Sequence, residues 1–266
     1  MGGSIGLAIK KRELAHEVAG VSLRQSSLAT ALKSNVIDRS YSEISKAVHQ
    51  ADFVVLATPV SVIVNLLSTL GPYLKRGCII TDVGSTKAII VETAEKFLPQ
   101  HCYFVGSHPL TGSQKQGAAY ASEDLFRNAV CIMTPTERTS RVAREKVKHF
   151  WTVIGSSVKF LSPQEHDKIL SFTSHLPHLL AYALIQSIPG DYLQYAAQGL
   201  KDTTRIASSS PQMWLDICKT NSREILQALD ESTKFLSAFR KAILANDDQA
   251  LIEHFQKAKE KRDGLG

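Results

Sequence analysis

Over the first 160 positions, apolar residues fall in short unbroken runs separated by stretches where they return every three or four residues. The runs at 17–21, 53–58, 78–83, 103–105, 130–133 and 158–161 predict strands. Consecutive apolar residues imply burial on both faces, which a parallel sheet covered by helices provides. Between them, Val60, Ile63, Leu66, Leu67 and Leu70 form one helical stripe, and a second helix is expected after Ser85. Past position 162 the strand signals stop. Ser162 can cap a helix with Pro163 at its first position and Glu165 behind it. Helical periodicity then continues to the end, broken at Pro189-Gly190 and around 208–211. The expected class is α/β: a Rossmann-like, doubly wound parallel sheet over 1–162, followed by an all-helical domain over 163–266.

The opening is abrupt. Gly2, Gly3 and Ser4 lead straight into a helix carrying Ile5, Leu7, Ala8 and Ile9. Glycines at a helix start let backbone N–H groups approach a phosphate, and the helix dipole favours the anion. Only the tail of a GxGxxG turn is present, so the sheet is expected to lack its first strand, through a start at an internal methionine or a truncation. Alone, the fragment reads as readily as a loop and cap. After the strand at 17–21, the place where NAD-specific folds carry an acidic residue holds Ser22, followed by Arg24, Ser26 and Ser27. This cluster suits a 2′-phosphate by charge-assisted hydrogen bonds, or is an ordinary polar turn; NADP is favoured and NAD possible.

The 266 residues are 44% hydrophobic and 21% charged, with a net charge of +6. That describes a globular protein rather than a disordered one. The positive residues are dispersed. The densest group, Lys257, Lys259, Lys261 and Arg262, reads as a solvated helix end rather than a nucleic-acid surface. Four scattered cysteines make no zinc spacing and read as reduced thiols. No run reaches membrane-spanning length and no leader is recognisable, so a cytoplasmic protein is expected.

Candidate chemistry gathers at predicted strand ends, where parallel sheets bind ligands. Thr58 and Pro59 end one strand. Ser85 and Lys87 follow the next, Ser85 also serving as a fair helix cap. His108, in GSHPLTGS (106–113), follows a third, on an expected loop, where a histidine can take a proton from an alcohol as hydride leaves. In the helical half, His175 and His178 share a helix face; interhelix or substrate contacts suit them better than a metal site. Arg205 could clamp a carboxylate or pair with Asp202. Trp214 is most simply core.

Taken together, GGS (2–4), ATP (57–59), DVGSTK (82–87), GSHPLTGS, SHLPH (174–178) and GLKDTTRIA (199–207) resemble the prephenate/arogenate dehydrogenase family over nearly the whole chain. The resemblance implies that His108 is the catalytic histidine and that Ser85 helps hold the substrate hydroxyl and the cofactor. It implies that Arg205 binds a substrate carboxylate, that His175 and His178 line the pocket, and that Asp202 and Trp214 lie near it. Gln114 stands where some members have glutamate. Gly2, Gly3, Ser4, Thr58, Pro59, Ser85 and Lys87 are expected to bind a nicotinamide cofactor. A homodimer through the helical domain is expected, without metal, nucleic acid or membrane. SHLPH leans toward prephenate over arogenate. Two rivals stand beside this reading. A 3-hydroxyacid-type dehydrogenase would need a catalytic lysine, for which only Lys201 lies nearby. A truncated, inactive paralogue would act as a binding or dimerisation module.

Overall fold

The computed structural model describes residues 1–112 and 117–265. The chain runs α1 (Gly2–Lys11), β1 (Ala19–Val21), α2 (Gln25–Lys33), β2 (Arg39–Tyr41), α3 (Ile44–Val48), β3 (Phe53–Leu56), α4 (Val60–Thr69), β4 (Ile79–Asp82), α5 (Ala88–Phe97), β5 (Tyr103–Pro109), β6 (Val130–Thr134), α6 (Arg141–Val153) and β7 (Ser157–Phe160). It continues as α7 (Pro163–Leu170), a π-turn (Ser171–His175), α8 (Leu176–Ser187), α9 (Gln198–Thr204), α10 (Pro211–Thr220), α11 (Ser222–Ala245) and α12 (Asp248–Asp263).

The strands form two sheets. One holds β1 and β2; the other runs β3-β4-β5-β6-β7. All pairs are parallel except β5 with β6. Among the described residues α1 is the first element, and β1 and β3 are not hydrogen-bonded to each other.

Alternation along the strands explains the two-faced burial. Ile79 faces a core shared with Ile5 and Ala8 of α1 and with Val147 and Trp151 of α6. Its neighbour Ile80 faces the opposite core, with Ile63 and Leu67 of α4 and Ile90 of α5. Period-two alternation thus buries both faces, as expected of a sheet covered by helices. Helix α1 packs close: a Cβ on Gly6 would lie 2.4 Å from the carbonyl oxygen of Val36.

The helical half opens on a complete capping box. Ser162 accepts from the Glu165 N–H, and the Glu165 carboxylate accepts from the Ser162 N–H at 3.0 Å. The two halves then meet through carboxylates placed on helix N-termini. Asp167 of α7 accepts from the Lys87 N–H at 2.7 Å and the Ala88 N–H at 2.9 Å, capping α5 from the other side of the junction. Asp216 of α10 does the same for α4, accepting from the Ser61 N–H and hydroxyl. Neither helix has a local side-chain cap, so these carboxylates satisfy donors that would otherwise be orphaned, aided by the helix dipole.

Candidate active site

The carboxyl edge of the larger sheet gathers the predicted groups. Thr58 and Pro59 are exposed just past β3, and Ser85 is half-buried past β4. The Ser85 hydroxyl has no partner among the described residues. Ser85 is not the helix cap expected of it: α5 begins at Ala88, and Asp167 performs that task.

His108 differs from expectation in its setting. It lies inside strand β5 rather than on a loop, paired across an antiparallel ladder with Ile132. Strand β5 outruns β4, whose last register partner on it is Val105, and this overhang carries His108 beyond the sheet's edge. A continuous apolar run marked only the first three residues of β5. Gly106, Ser107 and His108 carry no strand signal and are held extended by β6.

Lys87 is a correction. Its side chain is fully buried, paired with the equally buried Asp82, and it donates to the Ser107 carbonyl at 2.9 Å. Asp82 also accepts from the Gly84 and Ser107 N–H groups. This network ties the end of β4 to the backbone beside His108 and leaves Lys87 no access to a cofactor.

Two residues not singled out in the sequence complete the site. His166 Nε2 lies 2.9 Å from His108 Nδ1, and His166 Nδ1 lies 2.8 Å from Asp167 Oδ1. His166 is fully buried and its pKa is lowered by that burial, against the opposing pull of Asp167. The pKa of His108 is pushed well below its ordinary value of 6.5, first by desolvation and then by the charges of His166, Lys87 and His175. His108 is therefore a neutral imidazole at neutral pH, able to accept a proton. No signal exposed this pair: His166-Asp167 sits in the first turns of α7, where polar residues ordinarily face solvent.

The helical half supplies the opposite wall. His175 is buried, its Nδ1 facing the Asn221 amide at 3.2 Å, and burial lowers its pKa to about 4. His178 packs on Trp214 with ring centroids 4.1 Å apart and planes tilted by 33°, and its Nδ1 bonds the Ser174 carbonyl. His175 Nε2 and Trp214 Nε1 are buried with no partner among the described residues. Burial lowers the His178 pKa, and the charge of the exposed Arg205 adds to that. Arg205 makes no ion pair with Asp202 among the described residues; Asp202 accepts from Gln198 instead. Gln114 lies outside the described residues.

A dinucleotide fits the other end of the same edge. Gly2 and Gly3 open α1 with no acidic residue in its first turn and no side-chain cap. Side chains there would crowd their neighbours: a Cβ on Gly2 would lie 3.2 Å from Ala57 Cβ, and one on Gly3 would lie 3.1 Å from Ala121 Cβ. Free N–H groups at a helix start suit a pyrophosphate. Ser4 is a partial exception to the expected cofactor set: its buried hydroxyl accepts from the Ser122 N–H, 118 positions downstream. Ser22 and Arg24 precede α2, with Ser26 and Ser27 in its first turn, which also lacks acidic residues. The Ser22 hydroxyl accepts from the Arg24 N–H at 3.1 Å.

An α/β nucleotide-binding half, a neutral histidine at its sheet edge and a helical wall facing that histidine define a nicotinamide-dependent dehydrogenase. Residues 5–160 match the family model for the prephenate dehydrogenase nucleotide-binding domain, and 162–257 match that for the prephenate dehydrogenase dimerization domain. The chain is 39% identical over 272 aligned positions to a prephenate dehydrogenase of Bacillus subtilis, covering 100% of this chain and 73% of the relative. It is 34% identical over 247 positions to a cyclohexadienyl dehydrogenase of Zymomonas mobilis, covering 90% and 83%. A crystal structure of Aquifex aeolicus prephenate dehydrogenase with hydroxyphenyl propionate and NAD+ superposes with a TM-score of 0.92 at 30% identity, covering 99% and 94% of the two chains. The chain belongs to the prephenate dehydrogenase family and is an oxidoreductase acting on prephenate or arogenate.

Proposed function

We propose that this chain oxidises and decarboxylates prephenate, with His108 as general base and NADP as the favoured cofactor. The observation that carries the reading is a neutral, half-buried imidazole at the sheet edge, beside a helical half whose His175 and Trp214 hold buried N–H groups with no partner among the described residues. The bound dinucleotide supplies the hydride acceptor. His108 takes the proton of the ring hydroxyl as the C–H electron pair leaves the same carbon, and the ring carboxylate departs as CO2 with aromatisation. Ser85 offers a free hydroxyl to the same oxygen. Arg205, His175, His178 and Trp214 orient the substrate carboxylates, so that charge is matched and water excluded where binding energy becomes rate.

The NADP preference rests on Ser22, Arg24, Ser26 and Ser27 around the start of α2, which has no side-chain cap and no acidic residue in its first turn. A cation and hydroxyls there complement a 2′-phosphate, and the carboxylate that would repel one is missing. Homodimerisation is supported by an exposed apolar face on the last two helices: Leu236, Ile243 and Leu244 of α11 and Ile252 and Phe255 of α12 are each at least 60% exposed. A face of this kind marks an interaction surface. Among the described residues no helix is long and apolar enough to cross a membrane.

The test is absorbance at 340 nm with purified protein, NAD or NADP, and prephenate or arogenate. The expected result is a rise with prephenate and NADP, reduced about a hundredfold or more in His108→Asn. A His108→Asn enzyme at full rate removes the assigned base.

A further inference from the structure

Tautomer bookkeeping along one chain of hydrogen bonds assigns roles that distances alone do not. Asp167 Oδ1 accepts from the Lys87 N–H and its Oδ2 from the Ala88 N–H, so the group is held as an acceptor. Its contact with His166 Nδ1 at 2.8 Å therefore requires a proton on Nδ1. A neutral His166 then has a bare Nε2, which can only accept. That Nε2 faces His108 Nδ1 at 2.9 Å, so His108 Nδ1 must be the donor. His108 is left with its lone pair on Nε2, the nitrogen turned away from the relay.

We propose that His166 and Asp167 are positioning residues that lock His108 in the Nδ1–H tautomer, presenting Nε2 as the base. The proposal rests on the reading of His108 as base and deepens it. When Nε2 takes the substrate proton, the imidazolium keeps its Nδ1–H bond to His166, whose own Nδ1–H stays on the Asp167 carboxylate. No further proton moves, and the carboxylate acts by orientation and charge, the logic of a histidine held by a buried acid. The arrangement also joins catalysis to domain docking. Asp167 belongs to the helical half, caps α5 of the nucleotide-binding half, and has its own carbonyl held by the Asn221 amide at 2.8 Å. The base is in its working tautomer only when the two halves are seated.

Two measurements test this on the intact chain. The first compares His166→Leu with His166→Gln. Glutamine can donate to Asp167 through its amide nitrogen and accept from His108 through its oxygen; leucine can do neither. The expected result is a fall in kcat of about tenfold to a hundredfold in His166→Leu, with the KM for cofactor unchanged and most of the loss restored in His166→Gln. Equal kcat in His166→Leu and wild type overturns the proposal, as does a folded His166→Gln no faster than His166→Leu. The second measurement stands whether or not His166→Leu folds: two-bond proton–nitrogen NMR of nitrogen-15 histidine-labelled wild type, with the His108 signals identified by their loss in His108→Asn. An Nδ1–H, bare Nε2 pattern is expected, and an Nε2–H pattern overturns the relay. The NMR requires no turnover. A correct tautomer in a chain inactive with all four substrate and cofactor pairings would therefore sink the functional reading and leave the relay standing.

Discussion

Replacing Lys87 by Met isolates the buried ion pair beneath the site. Methionine keeps most of the apolar stem and removes the charge, leaving Asp82 fully buried with only its Gly84 and Ser107 N–H donors. Stranding one member of a buried pair costs about 3–5 kcal/mol. At roughly 2–4 °C per kcal/mol for a chain of this size, the melting temperature should drop by about 6–20 °C. Asp82→Asn should cost a similar amount, because it strands the ammonium instead. The double variant carries no buried charge. It leaves one backbone N–H without an acceptor, since an amide has one oxygen where the carboxylate had two, and the Ser107 carbonyl without the Lys87 donor, at about 1–3 kcal/mol each. The double-mutant cycle should therefore show a coupling of several kcal/mol, with the double variant more stable than either single one. Scanning fluorimetry and urea titration read the result. A Lys87→Met protein within about 1 kcal/mol of wild type, or additive single effects, would refute the claim that this pair is a closed, mutually dependent unit. Cofactor affinity in the folded double variant should match wild type, because the ammonium has no path to the dinucleotide.

Four further outcomes follow from the same structure. Arg24→Ala should raise the KM for NADP about tenfold to a hundredfold, the worth of a charge-assisted hydrogen bond, while sparing NAD; equal effects on both cofactors would remove the 2′-phosphate role. Because burial holds the pKa of His108 well below 6.5, kcat/KM should stay flat from pH 8 down through 6.5 and fall only at lower pH; an acid limb at or above 6.5 would contradict a desolvated base. His175 titrates near 4 when folded and near 6.5 when unfolded, so between those values the unfolded chain binds more protons and acid favours unfolding. Stability contributed by the neutral ring should thus be intact above pH 6.5 and fall by about 3 kcal/mol by pH 4, a slope that His175→Gln flattens in urea titrations at stepped pH. Gly6→Ala should destabilise by about 1–3 kcal/mol despite alanine's better helix propensity, because its Cβ would sit 2.4 Å from the Val36 carbonyl; a higher melting temperature would show that α1 can shift away.

What the sequence disclosed, and what it withheld, follows from where each signal originates. Runs such as Phe53-Val54-Val55-Leu56 announce buried strands because burial on both faces leaves its mark on every residue. The capping box at Ser162 and Glu165 is similarly local, made by residues three apart. The sequence places His108 at a strand end but on a loop, because the extended conformation of residues 106–109 is imposed by β6, more than twenty positions downstream. Lys87 was misread for a related reason. A lysine at a helix start beside glycines resembles a phosphate ligand until its partner Asp82 is seen folded against it. His166 and Asp167 went unseen because nothing about two polar residues early in a helix shows that another domain will bury them. Their meaning exists only across the junction, where Asp167 replaces the cap that α5 lacks. The local sequence masks even that missing cap, because Ser85 stands where a cap is expected, yet α5 begins at Ala88 with no side-chain cap of its own. A helix start without a local cap, placed at the carboxyl edge of a parallel sheet, is therefore a place to look for a carboxylate arriving from elsewhere in the fold.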